Sequence, residues 1–180
     1  MEVVLIRHAT TDYNSIPNKA WKNFSCLTND GRKETEIISQ NTLFKNSELI
    51  LTSPYTRALE TSSILSKNLN IPIKVEFDLR EWEHTGSIQF EKELFDKCFK
   101  EMIKNKGKYL RTCKYYYEDL TSLGNRVFNV IRKYKDYKKI IVVSHEMVLS
   151  QFIYKDKWKN LDIDIYDFND NSTPNGFIER

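Results

Sequence analysis

No apolar run in this sequence approaches the roughly 20 residues that a membrane-spanning helix needs, so no membrane is expected as a partner. The amino terminus enters an apolar strand at once, with no basic segment, apolar stretch and cleavage site ahead of it, and no secretory signal is read there. Cysteine is sparse. Cys26, Cys98 and Cys113 are odd in number and far apart, which fits neither a disulfide framework nor a zinc motif. Reduced thiols and a cytoplasmic location follow as expectations. An excess of one charge is lacking too: a formal net charge of +3 is too small to call for nucleic acid as a partner. Repeats and low-complexity tracts are missing. Histidine is scarce, three in 180 residues, and the positions of two of them organise everything else.

What is present is an ordinary globular composition, 40% hydrophobic and 29% charged, over a length that suits one domain, residues 1–180, with a sizeable core. Val3-Val4-Leu5-Ile6 is a β-branched-rich apolar run that ends abruptly at Arg7-His8 and then turns polar. This is the pattern of a buried strand followed by the loop at its carboxyl end, where open α/β sheets bind ligands. Near the other terminus Ile140-Ile141-Val142-Val143 does the same and delivers Ser144-His145. Two of three histidines thus sit in equivalent places.

Between these strands the periodicity alternates. Thr28 is positioned to cap a helix over roughly 28–43, with Ile37, Ile38 and Leu43 as its apolar stripe. Residues 15–26 read as irregular, with Trp21 and Phe24 as anchors to the core. Residues 48–52 form a short buried strand, and a helix over roughly 55–68 follows, with Ala58, Leu59, Ser62 and Leu65 inward. Arg57 falls in that helix's first turn, an electrostatically poor place for a cation unless an anion lies beside it. A strand over 71–77 and a loop over 78–86 come next. Residues 89–119 read as helical, lysine-rich and polar, a cap insertion (roughly 84–118) over the sheet's carboxyl edge. A long helix over roughly 118–135 carries Leu120, Leu123, Val127, Val130 and Ile131 inward. Strand 139–143 and a helix from Glu146 follow, and Leu161–Phe168 with Gly176–Ile178 close the chain as an antiparallel edge pair. Alternating strands and helices predict an α/β fold, a three-layer α/β/α sandwich with a mostly parallel sheet.

Five ordered segments then carry a family resemblance: Arg7-His8-Ala9-Thr10-Thr11-Asp12-Tyr13-Asn14, Leu27-Thr28-x-x-Gly31, Ser53-Pro54-x-x-Arg57-Ala58-x-x-Thr61, Leu79-Arg80-Glu81 and Ser144-His145. Together they resemble the histidine phosphatase superfamily, also called the phosphoglycerate mutase-like family, over nearly the whole chain. The resemblance implies roles that the residue chemistry suits. His8 would be a phosphoryl-accepting nucleophile, which requires a neutral imidazole with one free nitrogen. Arg7 and Arg57 would grip phosphoryl oxygens through their planar forks, and His145 would be a further donor. Thr11 and Asn14 match substrate-contacting or loop positions, and a backbone N–H at Glu146 or Met147 would reach the phosphate. Glu81 would be the general acid, with Glu83 the next candidate; His84 would lie at the rim of the site. The implied activity is metal-independent, cofactor-free hydrolysis of a small phosphorylated substrate through a phosphohistidine. The sequence leaves the oligomeric state open.

Departures from the pattern are Ala9 for the usual glycine, which requires a negative φ there, Glu60 for a common glutamine, and Glu146 for a common glycine. The glycine after Leu79-Arg80-Glu81, Gly86, also comes one residue late. The alternatives are a phosphoglycerate mutase, whose usual arginine-rich insertion is not found here, a catalytically idle phosphate-binding module, and a protein phosphohistidine phosphatase, which Glu81 disfavours.

Overall fold

The computed structural model describes residues 1–12, 23–85 and 92–178. Its centre is a five-stranded sheet in the order β3-β2-β4-β1-β5, formed by β1 (Glu2–Arg7), β2 (Leu49–Thr52), β3 (Ile73–Val75), β4 (Lys139–Ser144) and β5 (Ile163–Asp167). The first four strands run parallel, and β5 lies antiparallel against β1. The apolar runs explain the layering. Side chains alternate across a strand, so a run without polar interruption must bury both faces. Val3 and Leu5 of β1, Leu49 and Leu51 of β2, and Ile140 and Val142 of β4 point into one core. Val4, Ile6, Ile50, Ile141 and Val143 point into the other. All of them are buried, and each such side chain removes apolar surface worth about 1.5–3 kcal/mol.

Helices cover both faces. α2 (Thr56–Leu69) contributes Ala58 and Leu65 to the second core, with α1 (Asn29–Ile38) packed on it. α4 (Leu120–Arg132) buries Leu120, Leu123, Val127, Val130 and Ile131 in the first core, as its spacing predicts, joined by α5 (Glu146–Leu149) and by Cys98 and Met102 of α3 (Lys92–Lys104). Local capping sets the boundaries. The Thr28 hydroxyl accepts from Gly31 N–H at the start of α1, and the Asp119 carboxylate accepts from Thr121 N–H at the start of α4. Asn70, in the left-handed region (φ 55°), closes α2.

Several elements differ from their sequence reading. The first helix stops at Ile38, because Asn41 turns its side chain back to cap a separate 3₁₀ turn over Thr42–Phe44. Ile37 is 70% exposed, and the inward face of α1 is Gly31, Thr35 and the half-buried Ile38, which packs on the second core. Among the described residues the cap region is helical over Lys92–Lys104: Lys106 and Gly107 take positive φ, and Gly107 N–H returns to the Met102 carbonyl, ending the helix. Phe24 is exposed rather than an anchor. Residues 176–178 form no strand, so β5 stands at the sheet edge without them. Trp21 and Asn14 lie outside the described residues.

The sheet's register positions the site. Arg7 pairs with Ser144 and Thr52 with Val143, so β1, β4 and β2 end side by side. The ladder carries on one step further, with His8 N–H donating to the Ser144 carbonyl and Ser53 N–H to that of Val143, each at 3.1 Å.

Candidate active site

Arg7-His8, Ser144-His145 and Ser53 leave adjacent strands at the same edge, and the geometry that follows is local. The rings of His8 and His145 approach edge-on with centroids 5.2 Å apart. His8 is buried. Its Nδ1 lies 2.8 Å from the Ala9 carbonyl, which can only accept, so Nδ1 carries the proton. That leaves Nε2 as the acceptor, and it takes a hydrogen bond from Arg57 Nε at 3.1 Å. The imidazole is therefore neutral, with its lone pair on the nitrogen beside a guanidinium. Arg57, in the first turn of α2, is only 4% exposed, so it is not a solvated surface arginine. Its guanidinium also stands over the Tyr55 ring, 5.0 Å from the centroid.

His145 is fully buried, and its Nε2 lies 2.7 Å from Ser53 Oγ, while Nδ1 has no hydrogen-bond partner among the described residues. Burial pushes its pKa well below the ordinary imidazole range, helped by the positive charge of Arg57, by His8 and by Arg7. It too is neutral. Arg7 donates through Nη1 to the Trp158 carbonyl and faces Glu146 Oε2 at 3.2 Å. The unexpected carboxylate at Glu146 is thus the counter-ion of Arg7.

Glu81 comes from the loop after a 3₁₀ turn over Phe77–Leu79. Ser144 Oγ donates to the Leu79 carbonyl at 2.7 Å and so ties this loop to the end of β4. The Glu81 side chain accepts from Trp82 N–H at 2.9 Å. Burial raises its pKa; the Trp82 hydrogen bond, Arg57 and Arg7 oppose that rise, and Glu146 adds to it. Arg7, His8, Arg57, Glu81, Trp82, His84, Phe95, Phe99, Glu146, Met147, Asp156 and Lys157 line one cleft of about 420 Å³.

The remaining candidates divide. Met147 and His84 line the cleft, and His84 packs against Trp82 and Phe95. Thr11 instead bridges to Leu27 and is not among the lining residues. Glu83 is engaged elsewhere, accepting from Arg80 Nε at 2.7 Å. Ala9 has no positive φ, so its methyl is tolerated. Its N–H donates to Thr61 Oγ1, which in turn donates to the Arg57 carbonyl, so α2 supports the loop after His8. Glu60 holds Leu27 N–H at 2.7 Å and Arg32 at 2.6 Å, which gives that departure a structural role between α1 and α2.

Sequence reasoning did not single out Ser53 as the partner of His145, Trp158 as the acceptor for Arg7, or Asn160, whose amide donates to the His8 carbonyl at 2.8 Å. Ser53 lay in a recognised segment and could have been found. The other two act on or through backbone carbonyls more than 150 residues away in sequence, which leave no local signal.

A family model described as histidine phosphatase superfamily (branch 1) matches residues 3–167. Among solved structures, Bacillus stearothermophilus YhfR superposes with a TM-score of 0.72 at 18% identity, covering 99% of this chain and 98% of that one. The α-ribazole phosphatase of Shigella flexneri gives 0.69 at 21% identity, over 98% and 96%. A mycobacterial glucosyl-3-phosphoglycerate phosphatase gives 0.63 at 18%, over 83% and 76%. At these identities the likeness is one of fold. No curated protein matches the sequence.

Proposed function

The chain belongs to the histidine phosphatase superfamily, branch 1, and from that premise we propose that it is a metal-independent phosphomonoesterase acting through a phosphohistidine on His8. The observation that carries the reading is the state of His8: its Nδ1 proton is fixed on the Ala9 carbonyl and its Nε2 lone pair is held beside Arg57. An entering phosphoryl group draws the Arg57 fork onto its oxygens and frees that lone pair to attack. Arg7 takes up further oxygens, in competition with Glu146. His145, neutral and with one nitrogen unengaged, suits the role of a neutral donor to the developing charge.

In the first step Nε2 forms a bond to phosphorus, the bond from phosphorus to the leaving oxygen breaks, and that oxygen takes the proton of the Glu81 carboxyl. In the second, water attacks phosphorus and gives its proton to the Glu81 carboxylate, and the P–N electron pair returns to Nε2. Glu81 suits both roles because burial favours its protonated form, while a hydrogen bond and two arginines keep the ionised form accessible. Two of the fold neighbours are named as phosphatases of small molecules, α-ribazole and glucosyl-3-phosphoglycerate. The reading extends that class of small organic phosphate to this chain.

Incubation with p-nitrophenyl phosphate in EDTA is expected to release nitrophenol. Acid-labile, alkali-stable phosphate should be trapped on the protein, and His8→Ala should abolish both signals. Full turnover by that variant would overturn the proposal. Tight vanadate binding without turnover of any phosphomonoester would turn the reading to an idle phosphate-binding module.

A further inference from the structure

The loop that carries Glu81 is short, irregular and close to the cleft, yet the four successive backbone carbonyls from Asp78 to Glu81 all accept side-chain hydrogen bonds. Ser144 takes the carbonyl of Leu79. The guanidinium of Arg126, from the middle of α4, takes the others: it donates to the carbonyls of Asp78, Arg80 (2.9 Å) and Glu81 (3.3 Å). One side chain thus holds three of four successive peptide carbonyls. The same guanidinium makes a two-pronged pair with the Glu118 carboxylate, at 2.6 and 2.8 Å, with both side chains almost buried. Glu118 reaches the same loop through three more bonds. Its carbonyl accepts from the Trp82 indole at 2.7 Å, its N–H donates to the Glu83 carbonyl at 2.7 Å, and its carboxylate accepts from Glu83 N–H at 3.3 Å.

A buried ion pair is weak evidence for stability, because desolvation offsets most of the attraction. What this one supplies is geometry. The planar fork has five N–H donors in fixed directions, and its binding of three carbonyls and a carboxylate sets the path of the chain from Asp78 to Glu83. A lysine in its place would keep the charge and lose the fork. We infer that Arg126, braced by Glu118, is a positioning residue that aims the Glu81 carboxyl at the leaving oxygen. This rests on the phosphomonoesterase reading for its catalytic meaning, but the loop's dependence on Arg126 stands apart from it. Arg126 is absent from the cleft wall, so it acts through the Glu81 loop and touches no substrate.

The test uses Arg126→Lys and Glu118→Gln in the full chain, with two substrates and two readouts. With an alkyl phosphate, whose departing oxygen needs a proton, kcat should fall by about 10²-fold, the cost of misplacing a catalytic group by about 1 Å. With p-nitrophenyl phosphate, a good leaving group, it should fall only slightly. Inhibition by inorganic phosphate should be unchanged, because the His8 and Arg57 cradle is not moved. In a Glu81→Gln background Arg126→Lys should add no further loss, since both changes remove the same contribution. Equal losses on both substrates, or a full second loss in that background, would overturn the inference. The second readout needs no activity. In ¹⁵N-tryptophan-labelled protein, the backbone and indole N–H signals of Trp82, bonded to Glu81 and to the Glu118 carbonyl, should both shift in Arg126→Lys. Unshifted signals overturn the inference even if the phosphatase reading holds; signals that shift in Arg126→Lys when the wild type hydrolyses nothing sink the reading and leave the loop's dependence on Arg126 standing.

Discussion

Glu81 and Glu146 line the cleft with Arg7 and Arg57, Glu83 stands two residues after Glu81, and each of the three has a different partner, which separates their roles. Glu83 is engaged by Arg80 and Glu146 by Arg7, while Glu81 accepts one backbone N–H among the described residues and sits where burial raises its pKa. Glu81→Gln keeps the Trp82 hydrogen bond and removes the proton. Its kcat on alkyl phosphates should drop by roughly 10²–10⁴, the usual worth of general acid catalysis, with a much smaller drop on p-nitrophenyl phosphate. Steady-state rates on the two substrates decide it, and equal losses would move the acid elsewhere. Glu146 makes an opposite prediction. In the proposed function it would compete with a phosphate dianion for Arg7, so Glu146→Gln should lower KM by about fivefold, the factor that about 1 kcal/mol for a partly exposed ion pair implies. An unchanged or higher KM would show that Arg7 is free for substrate in either case. The Leu79-Arg80-Glu81 segment marked Glu81 in the sequence, but which partners hold Glu60, Glu83 and Glu146 was not visible there. The partners of these four carboxylates stand from one to 139 positions away.

At the scale of elements, the loop after His8 is held from outside by two helices. α2 supports it through Thr61, and the start of α1 supports it through close backbone approach. Thr28 N–H donates to the Thr10 carbonyl at 3.0 Å, and a Cβ built on Gly31 would stand 2.6 Å from that same carbonyl. The contact is with backbone, so it cannot yield by a rotamer change. Gly31→Ala should therefore destabilise the fold by about 1–3 kcal/mol, the range for an overpacked site, and lower kcat by displacing the residues next to His8. Chemical denaturation and steady-state kinetics check the two effects, and wild-type values for both would show that α1 can slide away. The Leu27-Thr28-x-x-Gly31 segment was legible as a motif, and Thr28 as a cap, because capping is a local rule. Its purpose was not, because the Thr10 carbonyl has no signature in sequence. Element ends differ for another reason: Asn41 and Gly107 are stop signals in the sequence, yet the apolar stripe and the lysine-rich pattern run past them.

For the whole molecule, the parallel sheet was readable because its four-residue apolar runs are buried on both faces, and the paired strand ends follow from Arg7 and Ser144 sharing a register. What the runs could not convey is the electrostatic cost of the place where they end. Folding buries two titratable groups there whose pKa values shift in opposite directions. His145 is held neutral by burial and by Arg57, His8, Arg7 and Arg126. Its folded pKa lies below the unfolded value of about 6.5, so between the two only the unfolded chain binds the proton. Stability from this group is complete above about pH 6.5 and falls as pH drops below it. Glu81 behaves in the reverse sense. Its folded pKa lies above the unfolded value of about 4.3, so the folded chain holds the proton longer. Its contribution is complete below about pH 4.3 and is lost as pH rises through the folded pKa. Above that folded pKa the molecule carries a buried ionised carboxylate, offset in part by the Trp82 hydrogen bond, Arg57 and Arg7 and worsened by Glu146. Glu81→Gln should accordingly raise the Tm above wild type at pH 8, with the difference shrinking to nothing near pH 4. His145→Gln should flatten the loss of Tm below pH 6.5. Thermal melts of the three proteins across pH 4–8 test both signs at once. A Glu81→Gln protein less stable than wild type at pH 8 would mean that the arginines outweigh burial, and the carboxyl would then be ionised too readily to donate the proton that the proposed chemistry asks of it.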